Sequence, residues 1–316
     1  MKILLTGYTG LLGRHVAALL KAKGYWVRVL LHSKTVTRRE IVQEVDDYLF
    51  GAMDDEMVIK KALEGIDYVI HCAWKFNPNG IPHPTINEKA VELLFNESIN
   101  AGIKKFAFIS SIAVYGMQKR LEKVVEINQL ASGSELIFTY PKEKVLIEQM
   151  LNKELSNRML IGIFRPGPIF DDRKSPIKKI IPFIGGKIGI GFGNGKNKMP
   201  LIHAEDVANA VIIWVKENNS SDIFNITPDE ELTYKEWFKK WGQANKLKIR
   251  PLFIRGFMLK ILALLATQIK KRLGKKGKVD VSYIIAAATR NLSYSNKKAK
   301  QVLGWEPVIT QKYISS

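Results

Sequence analysis

The chain has 316 residues, of which 46% are hydrophobic, so it can bury a large core and its composition excludes a disordered protein. Its formal net charge is +19, but lysine is spread along the whole chain, which favours a solvated basic surface and argues against nucleic acid as a partner. The single cysteine, Cys72, excludes an internal disulfide and a multi-cysteine metal site, and it fits a cytoplasmic protein.

The chain begins with a pattern typical of a dinucleotide-binding turn. Residues 3–5 predict a buried first strand. Three glycines follow it at the spacing of such a turn, Gly7, Gly10 and Gly13. The first permits a tight bend, the second lets a pyrophosphate approach the backbone, and the third lets helix pack on strand. The helix predicted over residues 11–23 would point its N–H groups at that pyrophosphate.

The end of the second predicted strand, residues 26–31, bears on the choice between pyridine nucleotides. An acidic residue at this place holds the ribose hydroxyls of NAD and would repel the 2′-phosphate of NADP. Leu31 occupies the place, and His32, Ser33 and Lys34 follow it without a carboxylate. The sequence therefore predicts that NADP is preferred over NAD, with Ser33 and Lys34 as partners of the phosphate.

Strands and helices then alternate along the chain. The predicted elements are a helix over 55–63, a strand over 66–73, a helix over 85–101, a strand over 105–111, a helix from 140 to about 155, a strand over 160–165 and a helix from 205. Right-handed crossovers would place helices on both faces of a parallel sheet. We therefore expect an α/β fold with a doubly wound parallel sheet. Residues 185–195 are rich in glycine and predict a hairpin or a mobile flap.

Several short motifs, taken in order, resemble the extended branch of the short-chain dehydrogenase/reductase superfamily, the NAD(P)-dependent epimerase/dehydratase group. The motifs are TGYTGLLG at 6–13, HCA at 71–73, Asn87 in the long helix, SSIAVYG at 110–116, YPKEK at 140–144, RPGPIF at 165–170, LIHAEDVANAV at 201–211 and LGWEP at 303–307. They cover most of the chain. With this resemblance we expect a Rossmann domain from residues 1–166 and 197–226. A smaller, discontinuous C-terminal substrate lobe would comprise residues 167–196 and 227–316.

The resemblance implies a catalytic trio. Tyr140 would be the general acid/base, Lys144 would hold the nicotinamide ribose and lower the tyrosine pKa, and Ser111 would hydrogen-bond the reacting oxygen. The chemistry agrees, because a phenol with a pKa of about 10 exchanges protons poorly at neutral pH unless a nearby cation stabilises its anion. Ser110 is expected to be a structural neighbour. No metal site is expected, because His71 and His203 have no ligands at suitable spacing.

The same resemblance implies a set of residues that contact the cofactor. They are Gly7, Thr9, Gly10, Leu11, Leu12, Gly13, His32, Ser33, Lys34, Ala52, Met53, Cys72, Ala73, Trp74, Asn87, Ile109, Tyr140, Lys144, Pro166, Gly167 and Ile169. Three positions depart from the family pattern. Ala52 replaces an aspartate directed at the adenine, Trp74 replaces a small residue and would narrow the pocket near the nicotinamide, and Pro141 follows the tyrosine.

Three functional hypotheses remain open. The first is an NAD(P)-dependent oxidoreductase that acts on a carbonyl or a secondary alcohol, and the apolar lobe around residues 253–265 favours a hydrophobic substrate. The second is a nucleotide-sugar epimerase or dehydratase with the same cofactor and trio. The third, of another class, is a non-catalytic cofactor-binding or membrane-surface protein.

The segment 256–278 combines an apolar run with a cluster of lysines. It is too short to span a bilayer, for which about 20 residues are needed. The preferred interpretation is a helix that covers a substrate pocket, and the alternative is peripheral contact with an anionic membrane. We expect a cytoplasmic protein, in the second case one that sits at the inner membrane face. The resemblance also implies a homodimer that pairs through the helices predicted over 85–101 and 140–155.

Overall fold

The computed structural model describes residues 1–32, 45–75, 85–116, 123–132, 139–153, 159–171, 183–184, 188–217, 220–244, 246, 248–272 and 292–315. The strands are β1 (Lys2–Thr6), β2 (Trp26–Leu31), β3 (Asp47–Phe50), β4 (Tyr68–His71), β5 (Lys105–Ile109), β6 (Leu160–Pro166), β7 (Ile169–Phe170), β8 (Phe183–Ile184), β9 (Ile188–Phe192), β10 (Ile202–His203), β11 (Asp222–Ile226) and β12 (Arg250–Ile254). The helices are α1 (Leu11–Ala22), α2 (Glu56–Leu63), α3 (Ile86–Asn100), α4 (Thr139–Lys153), α5 (Ala204–Glu217), α6 (Tyr234–Ala244), α7 (Gly256–Arg272), α8 (Lys297–Leu303) and α9 (Val308–Ser315).

Seven of the described strands form one sheet in which every neighbouring pair is parallel. Their order is β11-β6-β5-β4-β1-β2-β3. The chain moves outward from β1 to β3 and then crosses back to β4 on the other side of β1. In such a sheet ligands bind in the crevice beyond the carboxyl ends of the strands, where the order reverses. The predicted parallel α/β sheet is confirmed.

Helices cover both faces of this sheet, because successive strand residues point to opposite sides. Ile3 and Leu5 of β1 pack in one buried cluster with residues of α1, α5 and α8. Leu4, between them, packs in a second cluster with residues of α2, α3 and α4. The sheet is therefore doubly wound, as the alternation of elements predicts.

Capping residues start the two helices that precede the site. The Asp55 carboxylate accepts hydrogen bonds from the backbone N–H groups of Met57 and Val58 at the start of α2. Thr85 and Glu88 form a capping box at the start of α3. Such caps satisfy backbone donors that have no partner inside the helix, so both helices start at fixed points.

A smaller three-stranded sheet lies outside the main one, in the order β12-β9-β8. β8 and β9 are antiparallel, which matches the hairpin predicted for the glycine-rich segment, although residues 185–187 fall outside the described part. At the other end of the chain, Ala299, Leu303 and Trp305 pack in the same core cluster as α1.

The boundaries of the proposed substrate lobe, 167–196 and 227–316, stay a prediction. None of the described helices has the length and apolar character that a membrane crossing requires.

Candidate functional site

The turn after β1 is formed by backbone that approaches backbone closely. Gly7 has a φ of +77°, and a Cβ there would lie 2.5 Å from the Ala73 amide nitrogen, at the end of β4. A Cβ on Gly13 would lie 2.1 Å from the Gly7 carbonyl oxygen. The Gly10 N–H donates to that same oxygen at 3.0 Å. Side chains are therefore excluded at Gly7 and Gly13, which explains these two glycines physically.

The N-terminus of α1 opens onto a cavity of about 510 Å³ at the carboxyl ends of the strands. Gly10 is the N-cap residue, and neither a side-chain cap nor an acidic residue occupies the first turn of this helix. The first backbone N–H groups and the positive end of the helix dipole thus suit an anion such as a pyrophosphate.

Many of the residues predicted to contact the cofactor share the wall of this cavity. They are Gly7, Thr9, Gly10, Leu11, Leu12, Gly13, His32, Met53, Cys72, Ala73, Trp74 and Asn87. The volume lies in the range of small-molecule sites, about 300–1,000 Å³. Apolar walls beside a helix N-terminus fit the rings and the pyrophosphate of a dinucleotide.

Other residues on the wall were not among the predicted contacts. They are Leu30, Leu31, Asp54, His71, Lys75, Ile86 and Ala90. Asp54 is the one carboxylate among the described residues of the wall, and it follows β3, a strand that the sequence analysis did not predict. Had β3 been recognised, the rule that ligands bind at the carboxyl ends of strands would have pointed to Asp54.

The remaining predicted contacts that the structure describes do not line the cavity. They are Ala52, Ile109, Tyr140, Lys144, Pro166, Gly167 and Ile169. Two further predicted contacts, Ser33 and Lys34, lie outside the described residues. Gly167 has a packing reason of its own, because a Cβ there would lie 2.0 Å from the Pro200 carbonyl oxygen.

The three predicted catalytic residues lie around the carboxyl end of β5. Tyr140 is half-buried in the first turn of α4, and Lys144 is buried one turn later, with its Nζ 6.0 Å from the centre of the Tyr140 ring. Lys144 Nζ donates to the carbonyl oxygen of Ile109, the last residue of β5, at 2.6 Å. Ser111 follows two residues later, and its hydroxyl oxygen accepts a hydrogen bond from the Ala113 N–H at 3.1 Å.

The charge on Lys144 is strongly affected by its surroundings. Its side chain is only 3% exposed, and this burial lowers its pKa from the usual 10.5 to about 7. The carboxylates of Glu148 and Glu143, on the same helix, act in the opposite direction and favour the ammonium form. The structure therefore holds an amine that changes its charge near neutral pH.

Trp74 lies between the cavity and this pair. It lines the cavity, which Tyr140 and Lys144 do not. The centre of its ring system is 3.6 Å from Lys144 Nζ and 5.4 Å from the centre of the Tyr140 ring, with an interplanar angle of 84°. The sequence predicts that Trp74 narrows the pocket, and the structure places its indole directly on the lysine.

Asn87 fixes the backbone that follows Trp74. Its side-chain oxygen accepts from the Lys75 N–H at 2.9 Å, and its side-chain nitrogen donates to the Lys75 carbonyl oxygen at 2.9 Å. The same nitrogen donates to the buried carboxylate of Glu143 at 3.0 Å. Asn87 thus joins the end of β4 to α4 besides lining the cavity.

A buried ionic network lies beneath the trio, and the sequence analysis gave no role to its central residue, Glu148. The Arg165 guanidinium donates to both carboxylate oxygens of Glu148, at distances of 2.5 to 3.1 Å. The Ser110 hydroxyl donates to Glu148, and Arg165 donates to the Tyr115 hydroxyl at 2.7 Å. Ser110 therefore has a structural role: its hydrogen bond to Glu148 fixes the end of β5. The spacing of Glu148 from Lys144, four residues, was the signal that could have found it.

The two histidines considered in the sequence analysis both have backbone or side-chain partners. His71 Nδ1 lies 2.8 Å from the Thr6 hydroxyl oxygen, and burial lowers the pKa of His71 to about 3. His203 Nδ1 accepts from the Glu205 N–H at 3.2 Å. Within the described residues no group of three or more His, Cys, Asp or Glu side chains is placed to hold a metal ion.

The apolar side chains of α7 that the structure describes point outward. Phe257, Ile261 and Leu264 are 59%, 52% and 66% exposed, and Leu265 and Ile269 are 56% and 58% exposed. The interpretation of this helix as one that covers a substrate pocket stays a prediction. None of them lines the cavity beside the glycine turn.

Comparison with known proteins agrees with this arrangement. The sequence model of the NAD dependent epimerase/dehydratase family matches residues 3–227. The sterol-4-alpha-carboxylate 3-dehydrogenase (decarboxylating) of Dictyostelium discoideum is 27% identical over 322 residues, with 96% of this chain and 95% of the relative covered. The UDP-glucose 4-epimerase of Lactobacillus helveticus is 27% identical over 259 residues, with 72% and 76% covered.

A solved structure gives the same fold. The UDP-glucose 4-epimerase of Bifidobacterium longum, in complex with NAD+ and UDP, superposes with a TM-score of 0.73. The two sequences are 19% identical, and the match covers 97% of this chain and 93% of that one.

Proposed function

This chain belongs to the NAD dependent epimerase/dehydratase family, and from that premise we propose how it works and on what. It is a pyridine-nucleotide-dependent enzyme of the oxidoreductase and epimerase group. We propose an oxidoreductase that interconverts a carbonyl and a secondary alcohol. The observation that supports this best is the pairing of Tyr140 with a buried Lys144, next to a cavity that fits a dinucleotide.

A nicotinamide held in the cavity would supply the hydride chemistry at the substrate carbon. Tyr140 moves the matching proton: its hydroxyl protonates the substrate oxygen on reduction, and its phenolate removes the proton on oxidation. Ser111 donates a hydrogen bond to the same oxygen. Lys144, when protonated, stabilises the phenolate, which brings the tyrosine pKa toward the working pH. The carboxylates of Glu143 and Glu148 help it to hold that proton.

The test is the oxidation of NADPH and NADH by the purified enzyme with a panel of ketones that includes apolar ring ketones. Tyr140→Phe should lower kcat by roughly 10²- to 10⁴-fold, because the proton donor is removed while the ring stays. Tyr48→Phe, on β3, serves as the matched control and should keep the activity. A Tyr140→Phe enzyme as fast as the parent would refute the mechanism.

An apolar substrate is proposed over a nucleotide sugar. The Dictyostelium relative, named for a sterol carboxylate, aligns over nearly the whole chain. The Lactobacillus relative, named for UDP-glucose, aligns over a smaller share. The nucleotide-sugar hypothesis predicts that the enzyme converts a UDP-hexose into its 4-epimer without any added reductant. Chromatography of the sugar after incubation distinguishes the two.

For the cofactor we propose NADP over NAD. The support is the end of β2, where buried Leu31 is followed by exposed His32 and no carboxylate stands at either position. Calorimetric titration with NADP and NAD measures the preference. An equal or lower dissociation constant for NAD would overturn it.

We propose further that α7 lies on an anionic membrane surface. Exposed apolar residues of α7 recur at intervals of three or four positions, at Phe257, Ile261, Leu264 or Leu265, and Ile269, so they lie along one broad face of the helix. Arg255 and Arg272 bracket the helix, and both are exposed. The sequence has no Asp or Glu between Glu236 and Asp280, whereas that stretch carries thirteen lysine and arginine residues. An apolar face in a purely cationic setting matches an anionic leaflet.

Flotation with vesicles tests the membrane proposal. The protein should float with vesicles rich in anionic lipid, and float less with neutral vesicles or at high salt. Ile261→Glu on α7 should abolish flotation, whereas Ile127→Glu, at a position 92% exposed outside α7, should not. If both variants float like the parent, α7 is not the contact, and a concentration-dependent self-association lost in Ile261→Glu would assign the face to a second copy.

A homodimer and a cytoplasmic location, at the inner face of the membrane, are also proposed. α3 and α4 pack on each other in the protomer, and exposed Leu146 on α4 is available for a four-helix contact with a second copy. Sedimentation equilibrium of the parent and of Leu146→Asp measures the oligomeric state and so tests the homodimer. Cell fractionation tests the location.

A further inference from the structure

We propose that the Trp74 indole is a gate that covers Lys144 and Tyr140 and is displaced by the nicotinamide half of the cofactor. This inference rests on the proposed function, because that function requires a pyridine nucleotide to reach Lys144 and Tyr140. It concerns a tryptophan that the sequence analysis expects to narrow the pocket.

The first argument is the position of the indole. Lys144 is 3% exposed and does not reach the cavity, although its proposed partner, a nicotinamide ribose, must come within hydrogen-bond distance of its Nζ. Trp74 touches both spaces: it lines the cavity, and its ring centre lies 3.6 Å from Lys144 Nζ. A ligand that fills the cavity therefore meets the indole before it meets the amine.

The second argument is what holds the indole in place. The Lys144 ammonium lies over the Trp74 ring, and the Tyr140 ring meets the same indole edge to face at 5.4 Å. Both contacts are attractive, and a cation over an indole is the stronger of the two kinds. The gate thus has a defined closed position rather than a random one.

The third argument identifies what moves. The backbone before Trp74 is fixed, because the Ala73 backbone packs so closely against Gly7 that a side chain on Gly7 would have no room. The backbone after it is pinned by the two hydrogen bonds between Asn87 and Lys75. Opening is therefore a rotation of the Trp74 side chain, and the glycine-turn half of the cavity is unaffected by it.

The experiment compares a whole cofactor with its fragment by calorimetry. The probes are NADP and adenosine 2′-phosphate 5′-diphosphate, which lacks both the nicotinamide and the ribose that would reach Lys144. In Trp74→Ala the dissociation constant of NADP should fall by roughly 3- to 30-fold, the factor that corresponds to one released cation–π contact. The fragment should bind parent and variant equally, within about twofold. Trp26→Phe is the control, since Trp26 also carries cations over its ring, from Lys2 and Arg28, but lies away from the site.

A second measurement needs no cofactor. A small amine-acylating reagent, followed by peptide mass spectrometry, reports how often Lys144 becomes accessible. Acylation of Lys144 should be at least tenfold faster in Trp74→Ala than in the parent. Lys105, a buried lysine that also lies against aromatic rings, is the internal control and should react at the same rate in both proteins.

The outcomes separate the gate from the proposed function. If the parent binds neither NADP nor NAD, the proposed function fails, and the acylation rates alone decide the gate. If NADP binds but Trp74→Ala weakens it, the indole is a stacking partner of the nicotinamide and the gate is refuted. Equal changes for NADP and the fragment, or an unchanged rate at Lys144, refute it as well.

Discussion

At the glycine turn the candidate site is made of backbone, whereas at the Tyr140 end it is made of side chains that cover one another. Gly7 and Gly13 leave no room for a side chain, so the turn has one shape with or without a ligand. Lys144 lies under the Trp74 indole, one helical turn before Glu148 of the buried ionic network. The first end is open and preformed, and the second is closed and charged. The two halves of this one site should therefore fail in different ways.

The closed end depends most on Glu148, so its removal should have the largest effect on folding. Glu148→Gln leaves the Arg165 guanidinium buried without its counter-charge, and such a broken pair costs about 3–5 kcal/mol. Urea unfolding monitored by circular dichroism measures it. Glu56→Gln, which removes the exposed ion pair with Lys60, is the matched control and should change little. Equal stability of the two variants would show that the network does not hold the closed end.

The open end should fail through its backbone. Gly7→Ala places a Cβ at a positive φ and 2.5 Å from the Ala73 nitrogen, so we expect a loss of about 3 kcal/mol and of cofactor binding. Gly24→Ala is the control, because Gly24 has the same φ of +77° but nothing within 4 Å of the added carbon. Gly24→Ala should lose only the stability that an alanine at a positive φ costs, which is the smaller part, and it should bind the cofactor normally. Normal binding by Gly7→Ala would contradict the preformed turn.

The closed end should also make stability depend on pH through Lys144. The lysine pKa is about 7 in the folded protein and 10.5 in the unfolded chain, so between these values the unfolded chain binds more protons. The free energy of unfolding therefore rises with pH across this window, by at most about 1.4 kcal/mol per pH unit. Lys144→Met removes this dependence. The free energy of unfolding of the parent minus that of the variant should therefore become more positive from pH 7 to pH 10. A constant difference would place the amine in a solvated environment.

The sequence predicts the open end better than the closed end because the two carry different kinds of information. The glycine turn is a local pattern of thirteen residues, and the alternation of apolar runs and breaks is local as well, so the sheet and most of its helices follow from it. β3 was missed because Asp47–Phe50 is short and only partly buried, which leaves little periodicity to read.

The closed end is built from contacts between distant parts of the chain. Trp74 and Lys144 are 70 positions apart, and the Glu148 pair with Arg165 joins a helix to a strand. A motif can indicate that Tyr140 and Lys144 act together, but it carries no information on what lies over them. Likewise, the apolar run of α7 predicts a helix without telling whether its face is covered, and the structure shows the described side chains exposed.

The smallest expected effect lies on the open end, at Asp54. Its exposed carboxylate is on the cavity wall, near the end of β3, so it opposes an additional phosphate on the cofactor. Asp54→Asn should raise the selectivity for NADPH over NADH, measured as the ratio of kcat/KM values, by about two- to fivefold, since exposed charges interact weakly. Glu64→Gln, an exposed carboxylate off the wall, should leave the ratio unchanged. An unchanged ratio with both kcat/KM values lowered would mean that the carboxylate instead binds a donor group that both cofactors share, and that the phosphate lies elsewhere.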